Sequence, residues 1–117
     1  MASFIHLLNK DGAPVFVNVN TAAVQWLLPN NATFGMLKVV TYISEDSDKR
    51  YFEDLSTNAT SWVIPPDGIS PSAYKICEEV LNMSNSLVSS YIRQPFNAAA
   101  SQRQQDIIDE WMSYVEE

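Results

Sequence analysis

Residues 91–103 read YIRQPFNAAASQR, and this stretch predicts a tight corner between two helices. Pro95 cannot continue a helix, because it lacks an N–H group and its ring clashes with the preceding turn. The residue before a proline is also disfavoured in the α conformation. Asn97 suits the N-cap of a second helix, since its side-chain oxygen accepts a hydrogen bond from an open N–H group of the next turn. The rest of the chain is organised around this corner.

The corner also carries binding chemistry that is unusual for an acidic chain. Two of the three arginines, Arg93 and Arg103, lie within it, together with Phe96 and Asn97. A helix N-terminus with arginines and an aromatic ring nearby suits an anionic ligand that contains a ring. The alternative is a helical corner whose arginines are simply solvated, and the residues alone leave both interpretations open.

The composition is that of one acidic domain. The length of 117 residues suits a single domain, and a hydrophobic content of 46% supplies a core. Fourteen acidic and seven basic residues give a formal net charge of −7, which disfavours duplex DNA and anionic membranes as partners. The single cysteine, Cys77, favours a reducing compartment. The N-terminus lacks a basic region and a long apolar run, so we expect a cytoplasmic protein.

The N-terminal half has the short apolar runs and turn residues that are typical of β-strands. The predicted strands cover residues 3–8, 14–20, 34–44, 50–55 and 61–64. Residues 22–28 fit either a strand or one helical turn, and we favour a strand because Pro29 begins a turn at once. The three tryptophans, Trp26, Trp62 and Trp111, each lie in an apolar pattern, so we expect them in the core.

The C-terminal half has helical periodicity. Ser70 suits an N-cap and Pro71 the first helical position, and we predict one helix from there to about Arg93. A second helix is predicted over residues 98–117. Its expected apolar stripe consists of Ala100, Ile107, Ile108, Trp111 and Val115.

These patterns predict the α+β fold class. We expect a single domain of residues 1–117, with an N-terminal antiparallel β-sheet in residues 1–66 and two C-terminal helices in residues 70–117 that form a helical hairpin. The helices carry more apolar surface than one small sheet covers. We therefore expect a homo-oligomer, a dimer or larger, that packs through the C-terminal helices.

Catalytic motifs are missing from the sequence. His6 is the only histidine, and Cys77 lies on the apolar stripe of a predicted helix, so neither a catalytic triad nor a zinc-ligand set can be assembled. Neither a phosphate-binding P-loop nor a dinucleotide-binding glycine motif is present. We therefore expect a protein without enzyme activity, metal or cofactor.

In the C-terminal half, an aromatic ring, a side-chain amide and a guanidinium group follow one another along the sequence, at Tyr74, Asn85 and Arg103. In architecture and residue order the whole chain resembles the phage anti-Thoeris sponge proteins, which sequester cyclic ADP-ribose signals made by bacterial TIR-domain immune enzymes without cleaving them. The resemblance implies that Tyr74 stacks on adenine, that Asn85 reads the ligand and that Arg103 holds the pyrophosphate. It also implies a second anionic site at Arg50, and assembly through the helices.

The predicted function is sequestration of a cyclic nucleotide immune signal, of the cyclic ADP-ribose type, which counteracts bacterial anti-phage defence. The candidate ligand-binding residues are Tyr74, Asn85, Arg93, Phe96, Asn97, Arg103 and Arg50. One alternative is a small acidic phage inhibitor that binds a host defence protein directly, as anti-CRISPR proteins do. Another is a structural assembly module.

Overall fold

A mixed β-sheet forms the centre of the computed structural model, which describes residues 2–115. Within that range the strands are β1 (Phe4–Leu8), β2 (Pro14–Asn18), β3 (Val24–Gln25), β4 (Leu37–Ile43), β5 (Arg50–Asp54) and β6 (Ala59–Ser61). The helices are α1 (Pro71–Val80), α2 (Asn85–Ile92) and α3 (Ala98–Val115), and a 3₁₀ turn (Phe34–Met36) precedes β4. The predicted α+β class is confirmed, with the strands first and the helices last. Residues 116–117, the end of the last predicted helix, lie outside the described residues.

The strand order is β3-β2-β1-β4-β5-β6, and the central pair, β1 and β4, is parallel. The prediction of an antiparallel sheet is therefore wrong at this pair, although the other neighbours are antiparallel. The physical reason is the connection over residues 26–36. It carries the chain from β3, on one side of β1, to the other side, so that β4 enters the sheet in the same direction as β1.

Helices cover both faces of the sheet. Because successive strand residues point to opposite faces, Ile5 and Phe4 of β1 belong to different core clusters. The first cluster joins Ile5 to residues of α1 and α2, among them Cys77 and Val88. The second joins Phe4 to Ile108 of α3. Since α2 and α3 belong to different clusters, the predicted helical hairpin is not confirmed.

The first predicted helix is divided in two, so the chain has three helices within residues 2–115 and not two. The hydroxyl of Ser84 accepts a hydrogen bond from the N–H group of Leu87 and caps α2. The break between α1 and α2 is also stabilised by the β1–β2 turn, because the N–H group of Lys10 donates a hydrogen bond to the carbonyl of Met83 across 3.0 Å. The predicted single helix over residues 70–93 is wrong because a serine cap and this tertiary hydrogen bond compete with the helical pattern.

The strand predictions differ from the structure mainly at the ends. Residues 22–28 do contain a strand, but only Val24 and Gln25 pair with β2. The last strand ends at Ser61, so Trp62 lies beyond it and is 63% exposed. The prediction that Trp62 belongs to the core is therefore wrong, whereas Trp26 is buried as expected. A short edge strand has too few neighbours to bury the ring that follows it.

The buried face of α3 is rotated from the predicted stripe. Ile108 and Met112 are buried, but Ile107 is 42% exposed and Val115 is 44% exposed. The same buried face contains the polar residues Ser101 and Gln104. Two hydrogen bonds from the sheet side make this possible: the N–H group of Leu28 donates to Gln104 Oε1, and His6 Nε2 donates to Gln105 Oε1, each across 2.9 Å. A rule that counts apolar residues cannot detect a face with satisfied polar groups.

Candidate functional site

A groove runs between residues 25–30 and α3. Two adjoining cavities of about 420 and 300 Å³ form it, and they share Leu27, Pro29, Asn30 and Ala100 among their lining residues. We call this continuous depression the corner groove, because residues 94–97 of the α2–α3 corner line one end of it. The other end extends along α3 to Trp111.

The corner itself forms as the sequence predicts. Arg93 ends α2 in the left-handed conformation, with φ of 57°, a common way for a helix to end. The side-chain oxygen of Asn97 accepts a hydrogen bond from the N–H group of Ala100 across 3.0 Å. Asn97 therefore caps the start of α3, and its capping role is confirmed. The cap places Asn97 in the lining of the corner groove.

Two aromatic rings join residues 25–30 to the corner. The centroids of Trp26 and Phe96 lie 5.0 Å apart, with an interplanar angle of 58°. Trp26 Nε1 also donates a hydrogen bond to the carbonyl of Gln94 across 3.2 Å. Trp26 is 5% exposed and braces the groove, whereas Phe96 is half-buried and presents part of its ring to the groove. Sequence reasoning missed Trp26 as a groove residue, because its apolar surroundings are those of a core tryptophan.

The charge of the corner groove is opposite in sign to that of the chain. Arg103 of α3 lines it with an exposed side chain. Among the described residues, those that line the groove include no aspartate and no glutamate. The ion pair found within residues 2–115 joins Lys38 to Asp54, 3.7 Å apart, so no carboxylate of that range is paired with Arg103.

The other candidate residues do not line the corner groove. The Tyr74 hydroxyl donates a hydrogen bond to the carbonyl of Ile64 across 2.9 Å, which ties α1 to the segment after β6. Asn85 Oδ1 accepts a hydrogen bond from the buried Asn9, whose Nδ2 lies 2.7 Å away. Arg93 is exposed at the end of α2 and does not line the groove.

Arg50 begins β5 and does not line the corner groove. Its Nη2 donates a hydrogen bond to the carbonyl of Asn9 across 3.0 Å, next to the β1–β2 turn. The structure thus brings Phe96, Asn97 and Arg103 into one groove. Tyr74, Asn85 and Arg50 do not line that groove, although Asn85 shares a different cavity, of about 240 Å³, with Phe96. Within one chain, the ring, amide and guanidinium that the resemblance implies at Tyr74, Asn85 and Arg103 do not form one site.

Burial favours the neutral forms of two titratable groups of the core, His6 and Cys77. The N–H group of Thr41 donates to His6 Nδ1 across 3.1 Å, so the ring proton is on Nε2. Burial lowers the pKa of this imidazole. Burial raises the pKa of the Cys77 thiol to about 12, and neighbouring Glu78 acts in the same direction. Within residues 2–115, no group of three or more His, Cys, Asp or Glu side chains is placed to hold a metal ion.

Comparison with protein-family models, with curated proteins and with solved structures finds no match to this chain. In the part of the chain that the structure describes, no helix is long and apolar enough to cross a membrane. Function is therefore inferred from the shape, charge and lining of the grooves.

Proposed function

We propose that the protein is a non-enzymatic binding protein that sequesters a small anionic ligand with a planar ring, of the cyclic nucleotide class, in the corner groove. The observation that carries this proposal is the charge of the groove. In a chain of net charge −7, the groove contains an unpaired Arg103 and, among the described residues, no acid. An arginine without a neighbouring acid attracts an anion to the groove, although the chain as a whole is acidic.

The lining divides naturally into a part for a ring and a part for phosphates. Phe96 offers an aromatic surface at the corner, and a planar base stacks favourably on such a ring. Arg103 offers a planar fork of donors that matches phosphate oxygens in pairs. The helix rise places Arg103 roughly 9 Å from Asn97 along α3. A nucleotide spans this distance with its base near Phe96 and its phosphates near Arg103.

The lining offers little for catalysis. The corner groove contains no histidine, cysteine or carboxylate among the described residues. Its one hydroxyl, Ser101, is 5% exposed and has no base beside it in the groove. Nucleophilic catalysis needs such a base within hydrogen-bond reach. The ligand is therefore bound and withheld, not cleaved.

Assembly through α3 completes the proposal. Ile107 and Trp111 line the open end of the groove, and Tyr114, which is 68% exposed, continues the same side of the helix. A second copy of the chain that packs on this side covers apolar surface and closes the groove. Binding in a closed groove withholds a cyclic nucleotide immune signal from its receptor. The expected consequence is protection of a phage from bacterial defence in the host cytoplasm.

Two measurements test the proposed function. Native mass spectrometry of protein purified from cells that express cyclic ADP-ribose-producing immune enzymes should show a bound mass of a few hundred daltons. Calorimetric titration with cyclic ADP-ribose isomers should show saturable binding and return the same ligand intact. If the protein binds none of these compounds, the proposal is wrong, and direct inhibition of a host defence protein becomes the better explanation.

A further inference from the structure

A second depression lies where the parallel strands β1 and β4 end. The chain leaves β1 for β2 on one side and leaves β4 for β5 on the other, so the two turns diverge. Between them is a cavity of about 510 Å³, which we call the strand-end crevice. Lys10 and Gly12 of the first turn line it, as do Asp48 and Lys49 of the second. In open α/β sheets, ligands bind at such a point, outside the carboxyl ends of parallel strands whose connections diverge.

The strand-end crevice concentrates positive charge. Lys10, Lys49 and Arg50 line it, which places three of the seven basic residues in one cavity. Asp48 is the acid in the lining. Both lysines are exposed, and within residues 2–115 neither ammonium group has an ion-pair or hydrogen-bond partner. Two free cations and a guanidinium around one cavity suit a ligand with more than one negative charge.

The floor of the crevice is apolar. Phe52 is 3% exposed and Leu81, at the end of α1, is half-buried, and both line the cavity. Trp62 also lines the cavity, with a side chain that is 63% exposed and a ring centroid 6.2 Å from that of Tyr51. An exposed tryptophan beside cations suits a flat ring attached to an anion, because stacking and charge act on different parts of one ligand.

The frame of the crevice is rigid. Arg50 Nη2 donates to the carbonyl of Asn9, which ties the second turn to the first across the cavity mouth. Asn9 is buried, and its Oδ1 accepts hydrogen bonds from the N–H groups of Asp11 and Ala13 at 3.1 and 2.9 Å. A site held in this way does not have to be ordered when a ligand enters, which lowers the cost of binding.

We propose that the strand-end crevice is a ligand site for a small organic phosphate that carries an aromatic ring, the chemistry of a nucleoside phosphate. Lys10, Lys49 and Arg50 face the phosphate, and Trp62 stacks on the ring. The site is separate from the corner groove, and it does not depend on the function proposed for that groove.

Calorimetric titration at low ionic strength tests this site with AMP, ribose 5-phosphate and adenosine as probes. AMP should bind more tightly than the two fragments, since only AMP has both phosphate and ring. The double variant Lys10→Gln/Lys49→Gln should weaken AMP binding by about tenfold for each lysine, the effect of one lost hydrogen bond to a charged group. The matched control, Lys75→Gln/Arg93→Gln, removes the same charge at residues that line neither the crevice nor the corner groove, and it should leave AMP binding nearly unchanged.

Trp62→Ala separates the ring contact from the phosphate contact. It should weaken AMP binding by at least about fivefold and leave ribose 5-phosphate binding unchanged, because stacking on one aromatic side chain is worth about 1–3 kcal/mol. Absence of AMP binding to the wild-type protein would overturn the proposal. So would equal losses in the two double variants, since net charge alone would then explain the binding.

Discussion

His6 Nε2 donates a hydrogen bond to Gln105 Oε1 across 2.9 Å and so joins the first strand to the last helix. The imidazole is fully buried, and its other nitrogen accepts from the N–H group of Thr41. Burial lowers the pKa of His6 more than the hydrogen bond to Gln105 and the charge of Asp109 raise it. The hydrogen bond that holds α3 to β1 therefore involves a side chain whose protonation depends on pH.

The first prediction is a loss of stability in mild acid. The unfolded chain has a histidine of ordinary pKa, 6.5, and the folded pKa lies below it. Between these values the unfolded state binds more protons, so the free energy of unfolding falls as the pH drops below about 6.5. The slope reaches at most about 1.4 kcal/mol per pH unit for one group. Urea unfolding at about pH 7.5, 6.5 and 5.5 measures it.

His6→Gln is the control for the first prediction. The variant lacks the titrating group, so its stability should be nearly constant over the same pH range even if its absolute stability is lower. An equal slope in the wild-type protein and in His6→Gln would show that other groups cause the acid sensitivity.

The second prediction concerns Arg103 in the corner groove. Arg103→Ala should cost about 2–4 kcal/mol of binding to the cyclic nucleotide, because phosphate oxygens that have lost their water remain unpaired. Arg103→Lys should recover only part of this, since a point charge cannot replace the planar fork. The melting temperature should change little, because the side chain is exposed. Arg93→Ala, also exposed but outside the groove, is the control, and an equal loss of binding there would exclude a specific role for Arg103.

The third prediction is that Asn85 stabilises the fold and does not contact the ligand. Asn85→Ala leaves the Nδ2 group of the buried Asn9 without its partner at 2.7 Å, so we expect about 1–3 kcal/mol of destabilisation. Ligand affinity at the corner groove should be unchanged. Asn82→Ala, at an exposed position after α1, is the control and should have little effect. Loss of cyclic nucleotide binding without loss of stability in Asn85→Ala would instead support the reading role that the resemblance implies.

The fourth prediction concerns assembly through α3. Light scattering should show a mass above the 13.2 kDa of one chain at tens of micromolar, because one side of α3 exposes Ile107 and Tyr114. Ile107→Asp should dissociate the oligomer and leave the monomer folded, since the residue is already 42% exposed. Ser113→Asp adds the same charge elsewhere on the helix and should leave the oligomer intact. A wild-type monomer would contradict the prediction.

The comparison of sequence and structure is most instructive at α3. Its length and its Asn97 cap are predictable, because a proline followed by an asparagine ends one helix and begins another through local contacts. Its orientation is not predictable. The buried face is chosen by Gln104 and Gln105, whose partners, Leu28 and His6, are distant in the sequence.

The candidate ligand-binding residues also divide into those placed by local sequence and those placed by distant contacts. Phe96, Asn97 and Arg103 are close in the sequence, and the structure keeps them in one groove. Tyr74 and Asn85 have residue types that suit a ligand site, but their polar atoms bond to Ile64 and Asn9. Residue type alone cannot distinguish a group that binds a ligand from one that binds its own chain, since both use the same hydrogen bonds.

Contacts between neighbouring residues fix the hairpin turns, the starts of α1 and α3, the corner and the α+β order, so these features are predictable from the sequence. Contacts between distant residues fix the parallel pairing of β1 with β4, the break between α1 and α2, the exposure of Trp62 and the strand-end crevice. The difference lies in how far apart in the sequence the interacting residues are. Turn and cap preferences arise within a few residues, whereas strand order, burial and the meeting of Lys10 with Lys49 depend on contacts between distant parts of the chain.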